Sequence, residues 1–297
     1  VDLLTVGEAF EDLIFVDLPR LPGPGEEVKT SHFVRTIGGG ALITAVAAAR
    51  LGLRCGVLSG LSEHAVAFLR KEGVAVRNLR RPEEPHAITA ALSIGSERSY
   101  VTFNGINDQL EERLLAAAGR LSAMHVHFAL YPRDCRPWTA ILERLRAQRV
   151  STSWDFGWNE GLLQDPAFPG LLQVLDYLFL NELEAVLYSG KRGLEEAFDF
   201  WRQQPQNVII KLGDKGSCWP ARDLRAAALR ARVIDTTGAG DAFNGGFLYA
   251  RFNGQSPGNC LKTGNRIGAR STEAAGGVDG LPRLDGSKRA RRQKGRL

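Results

Sequence analysis

The sequence predicts an α/β fold: a mostly parallel central sheet with helices on both faces, and a small second sheet set apart from it. Three observations carry this expectation. From about residue 40 onward, short apolar runs alternate with helix-period runs, the pattern of βαβ crossovers. Two stretches, 13–37 and 87–103, break that rhythm with period-two alternation and no intervening helix, as in strands covered on one face only. The chain has 297 residues and 44% hydrophobic content, enough for one large core with an appendage.

The elements follow in order. Residues 3–6 read as an apolar strand ending in Gly7, with Asp12 five residues on. Pro22-Gly23-Pro24-Gly25-Glu26 is turn-forming, and Gly38, Gly39 and Gly40 lead into an Ala-rich helix over 41–51. Further strands are expected at 56–58, 125–128, 150–156, 177–180 and 208–212, and helices at 65–71, 110–120, 138–148, 182–188 and 194–203. In such a sheet, ligands bind beyond the carboxyl ends of the strands.

The most informative stretch is Asp235-Thr236-Thr237-Gly238-Ala239-Gly240-Asp241-Ala242-Phe243, after an apolar pair, Val233-Ile234, read as a strand end. Gly238, Ala239 and Gly240 lack the side chains that would keep backbone N–H groups from converging, and a helix starting there adds its unpaired amides and dipole. That makes an anion cradle. A carboxylate at its lip, Asp241, repels a phosphate unless it has a proton to remove, as transfer of a phosphoryl group to a hydroxyl requires. An Asp capping a helix after a glycine turn is the plainer alternative on spacing alone. Gly245 and Gly246 fall inside the same helix at about 1 kcal/mol each, a cost that close packing against the sheet is expected to offset.

The full string resembles the signature of the ribokinase-like (PfkB-type) sugar kinases, whose loop here forms an anion hole and whose last Asp is the catalytic base. The resemblance extends along nearly the whole chain. Asp12, the P-x-P-G-E turn and Gly38-Gly39 before the small-residue helix are similar to the family's sugar-binding opening. Gly105-Ile106-Asn107 resembles its sugar-contacting G-A-N, and Asn181-Glu182-Leu183-Glu184 its N-x-x-E motif, which orders Mg2+ and phosphate through water; taken alone, that motif reads as a capping box. Lys211-Leu212-Gly213-Asp214-Lys215-Gly216 resembles the glycine turn beside the nucleotide, and Asn265 falls where the family places a residue near the adenine.

The resemblance implies a ribokinase-like three-layer sandwich. A single domain over 1–285 would carry a β lid from about 8–37 and 87–104, through which some relatives dimerise. It implies an ATP- and Mg2+-dependent kinase acting on a primary hydroxyl of a small ribose- or fructose-like sugar. Asp241 would be the base, with Gly238, Ala239 and Gly240 receiving phosphoryl charge. Asp12, Gly39, Gly40, Thr44 and Asn107 would hold the sugar, and Asn181, Lys211, Gly213, Gly216 and Asn265 the nucleotide. Glu184 would order Mg2+ through water, and Asp235 with Thr237 would hold a monovalent cation such as K+.

Departures bear on the acceptor. Ile43 stands where the family usually has a sugar-contacting Asn, which moves that contact to Thr44 or removes it; Phe10 replaces a polar residue, and 60–64 lacks the usual G-x-D-x-x-G. A 2-keto-3-deoxygluconate-type sugar acid is an alternative acceptor, with Arg98, Arg133 or Arg136 pairing its carboxylate. A nucleoside is another. Outside catalysis, the alternative is an inactive sugar-binding regulator, which would have no need of Asp241.

Composition narrows the remainder. The formal charge is +5, but Lys288, Arg289, Arg291, Arg292, Lys294 and Arg296 supply six positive charges, leaving −1 for the rest. That tail, 286–297, reads as a solvated, mobile end. No basic face interleaved with aromatics suggests nucleic-acid binding. Cys55, Cys135, Cys218 and Cys260 are widely spaced and read as free buried thiols. His125 and His127 would share one side of a strand, in a structural rather than a metal-binding role. With no run of 18 apolar residues and no signal peptide, the expectation is a cytoplasmic protein.

Overall fold

The computed structural model describes residues 1–94 and 97–284; the basic tail lies outside the described residues. The elements run β1 (Leu3–Gly7), β2 (Phe10–Val16), β3 (His32–Gly38), α1 (Gly40–Arg50), β4 (Cys55–Ser59), α2 (Glu63–Lys71), β5 (Ala75–Asn78), β6 (Ile88–Ile94), β7 (Glu97–Phe103) and α3 (Asn107–Ala117). They continue with β8 (His125–Ala129), α4 (Cys135–Ala147), β9 (Ser151–Asp155), α5 (Phe168–Val174), β10 (Tyr177–Asn181), α6 (Glu182–Ser189), α7 (Leu194–Arg202) and β11 (Asn207–Lys211). The chain closes with β12 (Ser217–Trp219), β13 (Leu224–Ala226), α8 (Ala239–Phe252) and α9 (Pro257–Ser271).

Nine strands form one sheet in the order β13-β12-β11-β10-β9-β8-β1-β4-β5, parallel from β11 to β5, with β12 and β13 antiparallel at one edge. This is the predicted α/β architecture. The short apolar runs are buried on both faces, as a parallel sheet requires. One core lies against α1, α2, α8 and α9, where Leu42, Val46, Phe243, Phe247 and Ile267 meet. The other lies against α3–α7 and centres on Phe128, Trp138 and Trp154, with Phe128 and Trp154 stacked at 4.6 Å between centroids. The buried indole N–H groups of Trp154 and Trp201 donate to the Leu130 and Ala185 carbonyls at 2.6 and 2.9 Å, which removes the cost of burying them.

The two rhythm-breaking segments make the second sheet, β3-β2-β6-β7. Register puts Asp12, Thr36, Thr89 and Thr102 on one face, with Ile14, Ala91, Ser93 and Arg98 further along it. The opposite face carries Phe15, Phe33, Leu92, Val101 and Phe103, of which Phe33, Val101 and Phe103 are more than half exposed.

Two local expectations need correction. Val233 and Ile234 form no strand. They are exposed in an irregular segment, where the amides of Ile234 and Asp235 both donate to the Thr272 carbonyl. Gly245 and Gly246 pack against helices, not the sheet: a Cβ on Gly245 would meet Ala47 Cβ at 2.7 Å, and one on Gly246 would meet Ile267 Cγ1 at 2.8 Å. Close approach of α8 to α1 and α9 offsets their helix cost. His125 and His127 are structural: their rings bond Ser151 and Ser153 at 2.7–2.8 Å, and burial pushes their pKa values down to about 3 and about 4. The four cysteines are free and buried. No helix of the described residues is long and apolar enough to cross a membrane.

Candidate active site

Adjacent strands of the parallel sheet end together, and their last residues converge. Gly7 of β1 pairs with Ala129 of β8, Ala129 with Asp155 of β9, and Asn181 of β10 with Lys211 of β11. The start of α8 lies over this row. Gly238 caps α8 with a positive φ of 71°, a conformation that costs a glycine little. The Ala239 amide closes a turn onto the Thr236 carbonyl at 3.2 Å, so it does not serve the cradle as expected. The amides of Gly238, Gly240 and Asp241 have no acceptor among the described residues, which leaves these three free to meet an anion.

Asp12 and Asp241 face the two ends of one glycine run. A Cβ on Gly38 would lie 2.2 Å from Asp12 Oδ2, and one on Gly40 would lie 2.8 Å from Asp241 Oδ1 and 3.1 Å from Ala129 Cβ. Side chains at either glycine would displace the carboxylates. Gly39, between them, packs on the Glu8 carbonyl, and the amides of Gly39 and Gly40 make no backbone hydrogen bond among the described residues. Asp12 is buried on the inner face of the small sheet, and its carboxylate makes no hydrogen bond among the described residues; burial, then the charge of Asp235, raise its pKa to about 6. Asn107 reaches the same region from the start of α3. Its amide nitrogen donates to the Ala9 carbonyl at 3.2 Å, while Oδ1 is buried without a partner among the described residues. Thr44 does not join them: it is fully buried between α1 and α8, and its hydroxyl donates to the Asp241 carbonyl at 3.1 Å. Ile43 fills the gap behind the loop, where a Cβ on Gly238 or on Gly277 would sit 2.5 Å from its Cδ1.

On the other side of Asp241 lies a charged cluster that sequence reasoning found only in part. Lys211 Nζ is 2.6 Å from Asp155 Oδ2, which also accepts from Asn244 Nδ2 at 2.7 Å. A Cβ on Gly240 would meet Lys211 Nζ at 3.1 Å, so the ammonium sits directly beneath the cradle. Asp155 carries no motif; its one signal is its place at the carboxyl end of an apolar strand. Asp241 is pushed up to about 7, first by burial, then by the charge of Asp155, with Lys211 opposing and Glu184 adding. Burial and Asp155 also raise Glu184. Asn181 and Glu184 do form a capping box: Glu184 Oε2 accepts from the Asn181 amide at 2.8 Å, and Asn181 Oδ1 from the Glu184 amide at 2.8 Å. The cap holds Glu184 where its charge acts on Asp241.

Beyond Lys211, Gly213 and Gly216 form a turn at φ 58° and 97°, and a Cβ on Gly216 would overlap the Ala226 carbonyl at 2.0 Å. Asn265 Nδ2 donates to the carbonyls of Ala226 and Ala227 at 2.9 and 3.0 Å. Ala227 and Asn265 border an open cavity of about 580 Å3, lined further by Leu229, Gln255, Lys262, Thr263 and Arg266.

Asp235 and Thr237 are engaged by a side chain from the small sheet. Arg98 Nη1 pairs with Asp235 Oδ1 and donates to Thr237 Oγ1 at 3.0 Å. The other two arginines considered for a substrate carboxylate are also engaged. Arg136 pairs with Asp134 at 3.1 Å, while Arg133 donates to the Asp108 carbonyl at 2.8 Å and lies 3.9 Å from Glu111.

Among the described residues, no three His, Cys, Asp or Glu side chains are grouped to hold a metal unaided. Asp155, Glu184 and Asp241 around one lysine nevertheless leave an excess of hard, negative oxygen, which suits a Mg2+ ion held through water and phosphate oxygens.

Comparison with known proteins agrees with this geometry. Residues 2–284 match the profile of the pfkB family carbohydrate kinases. The 2-dehydro-3-deoxygluconokinase of Bacillus subtilis is 26% identical over 278 residues, covering 86% of each chain. The ribokinase of Haemophilus influenzae is 26% identical over 292 residues, covering 90% of this chain and 91% of its own. The crystal structure of ribokinase from Cryptococcus neoformans in complex with ADP superposes with a TM-score of 0.75 at 22% identity, covering 100% of this chain and 99% of that one. The chain belongs to the pfkB family of carbohydrate kinases and is a phosphotransferase acting on a sugar hydroxyl.

Proposed function

We propose that the protein transfers the γ-phosphate of ATP to a primary hydroxyl of a small neutral sugar, ribose- or fructose-like. The observation that carries this reading is the placement of Asp12 and Asp241 at the two ends of Gly38–Gly40, with free amides of the α8 start beside Asp241. Asp12, Asn107 Oδ1 and the Gly39 and Gly40 amides hold the acceptor hydroxyls. Asp241, poised near neutrality by its surroundings, takes the proton of the attacking hydroxyl; such help is worth on the order of 10²–10⁴ in rate. The amides of Gly238, Gly240 and Asp241 receive the charge that grows on the phosphoryl oxygens.

Lys211 lies where it meets the same charge, fixed by Asp155. The nucleotide lies along the Gly213–Gly216 turn, with its base toward the cavity at Asn265. Bound Mg2+ would neutralise the β- and γ-phosphates, ordered through water by Glu184 and Asn181. Use of ATP fits a cytoplasmic location.

A neutral acceptor is favoured over a sugar acid because the acceptor end presents two carboxylates, and Arg98, Arg133 and Arg136 are all engaged elsewhere. An anionic acceptor would meet like charge without a free cation from these three. The exposed apolar face of the small sheet, with Phe33, Val101 and Phe103, supports pairing of two lids in a homodimer. The test is ADP release from ATP and Mg2+ with a panel of pentoses, ketoses, 2-keto-3-deoxy sugar acids and nucleosides. Turnover with a neutral pentose or ketose in preference to the rest is expected. Preference for the sugar acid or nucleoside would replace the acceptor, and ADP release with none of them would refute kinase action on these classes.

A further inference from the structure

Asp235 is 1% exposed, and a carboxylate so buried must be neutralised or fully hydrogen-bonded. The residues around it do not fit the monovalent cation expected there. Oδ1 accepts from Arg98 and from the Thr237 amide at 2.6 Å, and Oδ2 from the Gly276 amide at 2.7 Å. The Thr237 hydroxyl accepts from Arg98 Nη1 at 3.0 Å and the Ile234 carbonyl from Nη2 at 3.2 Å. Three oxygens of the kind an alkali cation would collect therefore converge on one guanidinium. That guanidinium belongs to β7, on the inner face of the small sheet, where Ser93 Oγ accepts from its Nε at 3.3 Å and where Tyr100 brings its hydroxyl to 3.5 Å from Thr237 Oγ1.

We infer that Arg98 is a positioning residue for phosphoryl transfer, a built-in cation that fills the oxygen set beside the cradle and frees the enzyme from any need for K+. This rests on the kinase reading above. Arg98 acts through Asp235 and Thr237, which lead directly into Gly238–Asp241, so its charge holds the cradle loop in shape. Guanidinium suits the task because its planar fork satisfies several oxygens at once and never loses its proton. Because it is carried by the small sheet, seating of that sheet and order of the loop become one event.

The experiment compares full-length wild type with Arg98→Ala in KCl and in tetramethylammonium chloride at equal ionic strength, reading kcat and the unfolding temperature. Wild type is expected to give the same values in both salts. Arg98→Ala in tetramethylammonium chloride is expected to lose about 10- to 100-fold in kcat, the worth of charge-assisted hydrogen bonds, with ATP affinity nearly kept. K+ or methylguanidinium should restore much of that rate, and K+ should raise the unfolding temperature of the variant alone. Arg98→Lys, which keeps the charge, should fall between, and serves if the alanine variant does not fold.

Three results would overturn the inference: wild type activated or thermally stabilised by K+; Arg98→Ala at full kcat in tetramethylammonium chloride; or a slow Arg98→Ala that neither cation restores. Wild type without phosphoryl transfer to any acceptor would sink the kinase reading instead, and the thermal comparison would still decide the role of Arg98.

Discussion

Asp241→Asn should make the protein more stable while it destroys the activity, and the gain should depend on pH in a defined way. In the folded chain, burial and the neighbouring Asp155 raise the Asp241 carboxyl from its ordinary 3.8 to about 7. The folded state therefore binds the proton more tightly than the unfolded state. Below about pH 4 both states are protonated and the site costs nothing. As pH rises toward 7 the unfolded state ionises first, and the folded state loses ground until both are charged. At about 1.4 kcal/mol per pH unit, the full penalty is on the order of 4 kcal/mol above pH 7. Asparagine keeps the shape without the charge, so urea unfolding of the two proteins should give nearly equal stabilities at pH 4 and a difference of about 2–4 kcal/mol in favour of the variant at pH 8. Equal stabilities at pH 8, or a gain of the same size at both pH values, would show that Asp241 does not carry this electrostatic load.

Other substitutions probe the acceptor end and the lysine cluster. Gly38→Ala would push a methyl group to 2.2 Å from Asp12 Oδ2. It should raise the KM for sugar about 10- to 100-fold, the cost of lost hydrogen bonds to a charged group, and leave the KM for ATP unchanged. Asp155→Ala leaves Lys211 without its nearest partner in a site where both are almost buried. A loss of about 3 kcal/mol in denaturant unfolding is expected, near the lower end for breaking a buried pair because Glu184 and Asp241 remain. In wild type, kcat/KM should fall on the acid side with a midpoint of about 7, where Asp241 becomes protonated. Removing the charge of Asp155 should move that midpoint to lower pH, and an unmoved midpoint would separate Asp155 from Asp241.

The parts of the site that lie on one continuous stretch of chain were legible in the sequence. The cradle loop, Gly38–Gly40, Asn107 and the Asn181–Glu184 pair are local arrangements in which spacing and small side chains already dictate backbone shape. Asp155 could not be read, because a single carboxylate at the end of an apolar strand acquires meaning only when β9 lies beside β8 and β10. Thr44 was misread because it is the polar residue next to the position of the expected sugar contact, whereas its rotation on α1 turns the hydroxyl to Asp241's carbonyl. Arg98 was noticed for its charge, but its partner is 137 residues away, and only the fold of the small sheet brings them together. The alternating sheet was legible as architecture for the same reason that Val233-Ile234 was not: strand signals need neighbours, and that pair has none.

The central claim is that Asp241 draws the proton from an alcohol at the lip of a phosphate cradle. Its most direct test measures phosphoryl transfer from ATP to the best acceptor by wild type and Asp241→Asn, with ATP binding followed by calorimetry in the same preparations. The account predicts transfer slower by about 10²–10⁴ with ATP bound as tightly as before or more so. Transfer at the wild-type rate by the asparagine variant would contradict it.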